Sequence, residues 1–175
     1  AILYGPKEIQ SIFELIAEDL SFTPTSLIVD RDRVLSSEQI DYFASCLRRL
    51  VTAEPVQYVR GKSDFYGLQF AVNQSVLIPR PETEELVDVI IRENSGCSGK
   101  IIDLGTGSGC IAVSLAKNIK NAQIQAIDVS EKALSVATEN ARTNNVAVGF
   151  HLGDMQDKTF MSQFAGCSVV VTNPP

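Results

Sequence analysis

The residues with the most chemical content lie in Asp103-x-Gly105-x-Gly107-x-Gly109, which follows the apolar run that opens at Lys100 and precedes the helix-period pattern Ile111, Val113, Leu115 and Ala116. Strand, glycine turn and helix in that order are the nucleotide-binding start of a βαβ unit. Glycines have no Cβ, so the backbone can turn tightly and come close to a ligand. The helix behind the turn directs backbone N–H groups and the positive end of its dipole at whatever sits there. Asp128 ends the next apolar run, Ala122 to Ile127, where an acidic residue takes a ribose hydroxyl pair. Asp154 follows a third run, Val146 to Leu152. Ligands of open α/β sheets collect beyond the carboxyl ends of the strands, so Asp103, Asp128 and Asp154 are expected along one edge. Asp154 is read as a ligand residue, with a plain turn role as the alternative. A glycine turn by itself is weak evidence; carboxylates at successive strand ends strengthen it.

A fourth apolar run, Ser168 to Thr172, leads into Asn173-Pro174-Pro175. Prolines lack an N–H, so this backbone offers carbonyl oxygens without competing donors, and Asn173 adds a side-chain oxygen. Two acceptors converging at one point suit an NH2 group. The stretch Pro79-Arg80-Pro81-Glu82-Thr83-Glu84-Glu85 also has chemical content. Pro81 biases Arg80 to an extended conformation and itself suits the first position of a helix, while the glutamates favour the positive end of its dipole. Arg80 is either part of a rigid helix entry or a charged wall for a carboxylate ligand.

The elements that position these groups follow from periodicity. Ile9, Ile12, Phe13, Ile16 and Leu20 recur at helical spacing, as do Ile40, Phe43, Ala44, Leu47, Leu50 and Val51 behind an N-cap at Ser36 or Ser37. Neither stripe can be buried alone, so residues 1–53 are expected to form a small helical domain. Leu27 to Val29 form a short helix or turn. Residues 54–80 are expected to be a linker built on a β-hairpin, with Leu68, Phe70 and Val72 alternating with polar neighbours. Residues 81–175 then alternate strand and helix: a helix to about Asn94, the strand and glycine turn, a helix to Asn118, a strand, and a helix capped by Ser130 and ending near Asn144. The fold class is α/β, a Rossmann-like sheet behind a helical domain.

Composition narrows the class. With 175 residues, 45% apolar and 21% charged, the chain is globular, and no apolar run reaches the length of a membrane span. The net charge of −6 and the lack of a basic block beyond Arg48-Arg49 and the Arg31 and Arg33 pair, both read as solvated faces, argue against a nucleic-acid partner. Four scattered cysteines without a CxxC pair predict neither zinc nor disulfides and fit a reducing cytoplasm. Cys110 reads as a small buried residue and His151, the sole histidine, as structural. The N-terminus is no signal peptide, and without Met it reads as starting inside a longer chain.

The pattern Asp103 to Gly109 resembles motif I of the S-adenosylmethionine (SAM)-dependent methyltransferases; a dinucleotide fingerprint needs a third glycine where Cys110 stands. Together with Pro79-Arg80-Pro81-Glu82-Thr83-Glu84 and Asn173-Pro174-Pro175, the chain closely resembles the release factor N5-glutamine methyltransferases, the HemK/PrmC group, over essentially its whole length. The resemblance implies SAM as cofactor, bound by Asp103, Gly105, Thr106, Gly107, Ser108, Gly109, Asp128, Asp154, Met155 and Asn173. It implies Asn173, Pro174 and Pro175 as the catalytic set holding the target glutamine, with Arg80 and Pro81 in the substrate loop and no metal. Met155 stands where the family usually carries an aromatic residue against adenine; a thioether can pack there as well. The family's tyrosine after the second proline and its later strands would follow Pro175, so the chain is expected to be a fragment. A peptide chain release factor is the implied substrate, recognised with help from the helical domain, and a cytoplasmic monomer is expected. The alternatives are an amino-methyltransferase on adenine or cytosine of DNA or RNA, a non-catalytic nucleotide-binding module, and a dinucleotide-dependent oxidoreductase.

Overall fold

The computed structural model describes residues 4–30 and 32–173, which form two compact units divided after Arg60. Arg31, Pro174 and Pro175 lie outside the described residues.

The first unit is helical: α1 (Pro6–Asp19), α2 (Pro24–Val29), α3 (Ser37–Leu50) and α4 (Val56–Arg60). Pro6 occupies the first position of α1, where its missing N–H costs nothing. Ser36 is the N-cap of α3: its hydroxyl accepts from the Gln39 N–H, and the Gln39 side chain returns an acceptor to the Ser36 N–H. Ile16, Cys46, Leu50 and Val59 make the buried core. The Arg60 guanidinium is buried against Asp19 through two 2.8 Å contacts, and Asp19 also accepts from the Tyr42 hydroxyl at 2.8 Å. Arg49 corrects the expectation of a solvated face. It grips Glu54 with two nitrogens and donates to the carbonyls of Tyr58 and Val59, fastening α3 to α4. Helix α4 was not foreseen in the sequence, and it places residues 54–60 with the helical unit instead of a linker.

The second unit opens with the expected hairpin, β1 (Lys62–Phe65) and β2 (Leu68–Ala71), paired Lys62 to Ala71 and Phe65 to Leu68. Its turn is Tyr66-Gly67, both at positive φ, the geometry whose twist matches that of paired strands. The Tyr66 N–H in this turn donates to Glu84 at 2.8 Å. Then come α5 (Pro81–Asn94), β3 (Lys100–Leu104), α6 (Cys110–Asn118), β4 (Gln123–Asp128), α7 (Glu131–Thr143), β5 (Gly149–Leu152), α8 (Lys158–Ser162) and β6 (Val169–Thr172). Among the described residues, the strands after the hairpin form one parallel sheet in the order β5-β4-β3-β6. Chain direction across the sheet therefore reverses at β3, with β4 on one side and β6 on the other.

Neighbouring residues of β3 serve opposite faces. Ile101 joins Val87, Ile90, Leu115 and the hairpin residues Phe65 and Phe70 in one core, while Ile102 meets Ile127, Phe164 and Phe160 on the other. Burial on both faces explains why the strand reads as a continuous apolar run instead of an alternating one. Short α8, with too few residues to show a period, is started by Asp157, which accepts from the N–H groups of Thr159 and Phe160. Among the described residues, no helix is long and apolar enough to cross a membrane.

Candidate functional site

A cavity of about 360 Å³ lies beyond the carboxyl ends of the parallel strands. It is walled by Gly105 and Gly107 after β3, Asp128 and Val129 at β4, Gly153 and Met155 after β5, and Asn173 after β6. Its position at the reversal point is where the topology of an open α/β sheet leaves a crevice. Ser75, Val76 and Leu77, in the segment after the hairpin, close another side.

The glycine turn is built as its spacing demands. Gly105, Gly107 and Gly109 all have positive φ (72°, 55° and 79°), a region that side chains disfavour. Gly109 has a second constraint, because a Cβ there would meet the Ala137 Cβ at 3.0 Å where α6 crosses α7. Four of the turn's N–H donors are engaged internally. The N–H groups of Gly105 and Thr106 both reach the Ile127 carbonyl, at 2.8 and 3.0 Å, and that of Gly109 reaches the Thr106 carbonyl. The Gly107 N–H donates to Asp128 Oδ2 at 2.9 Å. Such a loop does not present a nest of free donors to a pyrophosphate, and its carboxylate neighbours would repel one. It suits a ligand that brings hydroxyls, amines and an apolar ring.

Asp128 ends β4 at the cavity wall. Its oxygens accept from the N–H groups of Gly107 and Ser130, each at 2.9 Å, which fixes the carboxylate at the cavity wall with lone pairs to spare. Val129, two-thirds exposed, and Ala133, Leu77 and Met155 supply apolar surface around it. Asp103 is placed behind the turn: it is buried, Oδ2 accepts from the Thr106 hydroxyl at 2.6 Å, and Oδ1 has no partner among the described residues. Burial pushes its carboxyl up to about 6, against hydrogen bonds from Thr106 and the Ala112 backbone and aided by the charge of Asp128. Thr106 and Ser108 are likewise buried and support the turn from beneath. The folded-state value of Asp103 exceeds the ordinary 3.8, so the native state holds the proton between the two values and stability falls as pH rises through that interval. Asp103→Asn should therefore unfold at a higher temperature than the parent at about pH 7.5, by a margin that shrinks toward about pH 4.5. A margin independent of pH would contradict this reading.

Asp154 sits off the cavity wall. It is exposed, does not line the cavity, and its Oδ1 accepts the Gln156 N–H at 2.8 Å, a side-chain-closed turn that aims the next residue, Met155, at the site. Arg80 and Pro81 are exposed at the head of α5 and are also outside the cavity wall; Arg80 has the extended backbone its flanking prolines require. His151 contacts Gln125 at 2.6 Å and the Phe164 ring, a structural setting on β5. Burial pushes the Cys110 thiol up to about 12, which suits a packing residue.

Two groups that the sequence did not single out organise the site. Asn140, fully buried on α7, accepts the Ala71 N–H at 2.7 Å and donates to the carbonyls of Ala71 and Ser108 at 3.0 and 2.8 Å. One amide thus joins the hairpin and the glycine turn. Thr83, buried in the first turn of α5, accepts from Asn173 Nδ2 at 3.0 Å.

Comparison with known proteins agrees with this geometry. Residues 82–175 match the family model "Methyltransferase small domain", and residues 6–61 match "PrmC N-terminal domain". A release factor glutamine methyltransferase of Flavobacterium psychrophilum is 43% identical over 181 aligned residues, covering 100% of this chain and 62% of the relative. One of Bacteroides thetaiotaomicron is 38% identical, covering 99% and 62%. The chain thus spans about three-fifths of the length of the curated relatives it matches. A SAM-dependent methyltransferase structure from Agrobacterium tumefaciens shares the fold with a TM-score of 0.53 at 17% identity, covering 65% of this chain and 39% of that one. The chain belongs to the methyltransferase small domain family and carries a PrmC N-terminal domain ahead of that fold.

Proposed function

We propose that the protein carrying this chain is an enzyme that transfers a methyl group from SAM to the side-chain amide nitrogen of a glutamine in a peptide chain release factor. The observation that carries the reading is Asn173, an amide at the end of β6 on the wall of a cavity otherwise suited to a nucleoside ligand. The relatives' printed name, release factor glutamine methyltransferase, supports the substrate.

The residues present fit the cofactor. Asp128 would accept the ribose hydroxyls, and Val129, Ala133, Leu77 and Met155 would face the adenine ring. Asp103, buried behind the turn, supports the turn and does not line the cavity. When bound, SAM supplies an electrophilic methyl group. An amide nitrogen is a poor nucleophile because its lone pair is delocalised into the carbonyl. Asn173 Oδ1 accepts one N–H of the substrate amide and so orients the nitrogen for in-line attack, stabilising the positive charge that develops on it. Pro174, whose carbonyl is assigned the second N–H, lies outside the described residues. The substrate proton can leave after methyl transfer, so no general base is required. Recognition of the release factor with help from the helical unit, a cytoplasmic location and a monomeric state belong to the same reading.

The test is methyl transfer from isotopically labelled SAM by the full-length protein, offered a release factor or DNA and RNA, with mass spectrometry locating the label. Label on a glutamine side chain of the release factor is expected. Label on adenine or cytosine and none on protein would replace this reading with the nucleic-acid one.

A further inference from the structure

The side chain of Asn173 can serve a substrate NH2 group only if its oxygen, not its own NH2, faces that group. Rotation of an asparagine amide about its last torsion is broad and roughly two-fold, so the strand end alone does not choose between the two orientations. One contact does. Asn173 Nδ2 donates to Thr83 Oγ1 at 3.0 Å, which turns Oδ1 away from α5 and leaves it for the cavity that Asn173 lines.

Thr83 is itself held firmly. Pro81 fills the first position of α5, the Thr83 N–H donates to the Arg80 carbonyl at 3.0 Å, and Val87 and Ile90, further along α5, are buried in the core. The hydroxyl is nearly inaccessible to water, its residue being 7% exposed, so little competes with Asn173 for it. This also gives the proline-flanked helix entry a role that neither capping nor the exposed Arg80 explains: it fixes the hydroxyl that sets the amide.

We propose that Thr83 is a positioning residue for methyl transfer, holding the Asn173 amide with its oxygen toward the substrate nitrogen. The proposal rests on the glutamine-methylation reading. Without the hydroxyl, Nδ2 loses its buried partner and the amide can present NH2 to NH2, an arrangement of two donors that cannot bond. Cofactor contacts are untouched, so the loss falls on kcat and not on cofactor affinity.

The experiment compares wild type, Thr83→Val and Thr83→Ser in the full-length protein, measuring kcat and KM with a glutamine-bearing release factor, affinity for S-adenosylhomocysteine, and the thermal midpoint. Valine keeps the shape and loses the acceptor; serine keeps the acceptor. Thr83→Val is expected to lower kcat about 10- to 30-fold, the range of one well-placed hydrogen bond, with cofactor affinity within about twofold. Thr83→Ser is expected to recover most of that loss even if its midpoint is the lower of the two. Wild-type kcat in Thr83→Val, or a serine variant no better than valine, overturns the inference and leaves the functional reading standing. A wild-type protein that binds S-adenosylhomocysteine and methylates no glutamine overturns the reading and the inference with it.

Discussion

Asn173→Ala in the full-length protein is expected to lower kcat for glutamine methylation by about 10²–10³-fold, the loss typical of removing one preorganised hydrogen-bonding group aimed at developing charge. The cause is local. Alanine removes the side-chain acceptor that, among the described residues, the end of β6 brings to the cavity, and it frees the Thr83 hydroxyl. Affinity for S-adenosylhomocysteine should change by less than about fivefold, or 1 kcal/mol, because Asp128 and the glycine turn keep their own hydrogen bonds. Steady-state kinetics and calorimetry on the same preparation check both halves. Turnover within about threefold of the parent would remove Asn173 from the mechanism.

The second large effect is on stability. Asn140→Ala strips three hydrogen bonds and leaves the Ala71 N–H and the carbonyls of Ala71 and Ser108 without that partner. The Ser108 carbonyl is the buried group among them and the Ala71 groups are part-buried; with about 1–3 kcal/mol for a buried group left unsatisfied and less for the others, a destabilisation of about 3–5 kcal/mol is expected. For a domain of this size that is a fall of about 10–15 °C in midpoint. Asn140→Asp should be no better, since a carboxylate has no donor for the two carbonyls. Asn144→Ala, which removes a more exposed contact from α7 to Gln69, is the comparison and should cost about 1 kcal/mol or less. Thermal unfolding decides; equal midpoints for the Asn140 and Asn144 variants would show that the buried amide does not hold the hairpin to the glycine turn.

How much of this was legible in the sequence depended on range. Strand, glycine turn and helix were readable because each signal is local: positive φ at Gly105, Gly107 and Gly109, Pro81 at a helix start, and the Ser130 hydroxyl accepting the Ala133 N–H. The hairpin was readable from alternation and Gly67. Helices α4 and α8, five residues each, carry too little period to declare themselves. Asp154 could not be placed from sequence, because a strand-end carboxylate and a turn carboxylate look alike in one dimension; the Gln156 N–H bonds to it, and Met155 lines the cavity. Asn140 and Thr83 were out of reach for a different reason. Their partners lie 69 and 90 residues away, and a polar residue inside a helix pattern ordinarily reads as solvated surface. Arg49 was misread likewise, since nothing near it in sequence announces that α4 will turn its carbonyls back toward it.

Calorimetric titration of the full-length protein with S-adenosylhomocysteine, alongside its Asp128→Ala variant and with NADH as the control ligand, tests the cavity assignment most directly. One-site saturable binding is expected for the parent. For Asp128→Ala it should weaken by at least about 100-fold, since two ribose hydroxyls lose a charged acceptor and the Gly107 N–H loses its anchor. No heat is expected with NADH. Undiminished affinity in Asp128→Ala would show that the ligand lies elsewhere, and saturable NADH binding with none for S-adenosylhomocysteine would contradict the methyltransferase account.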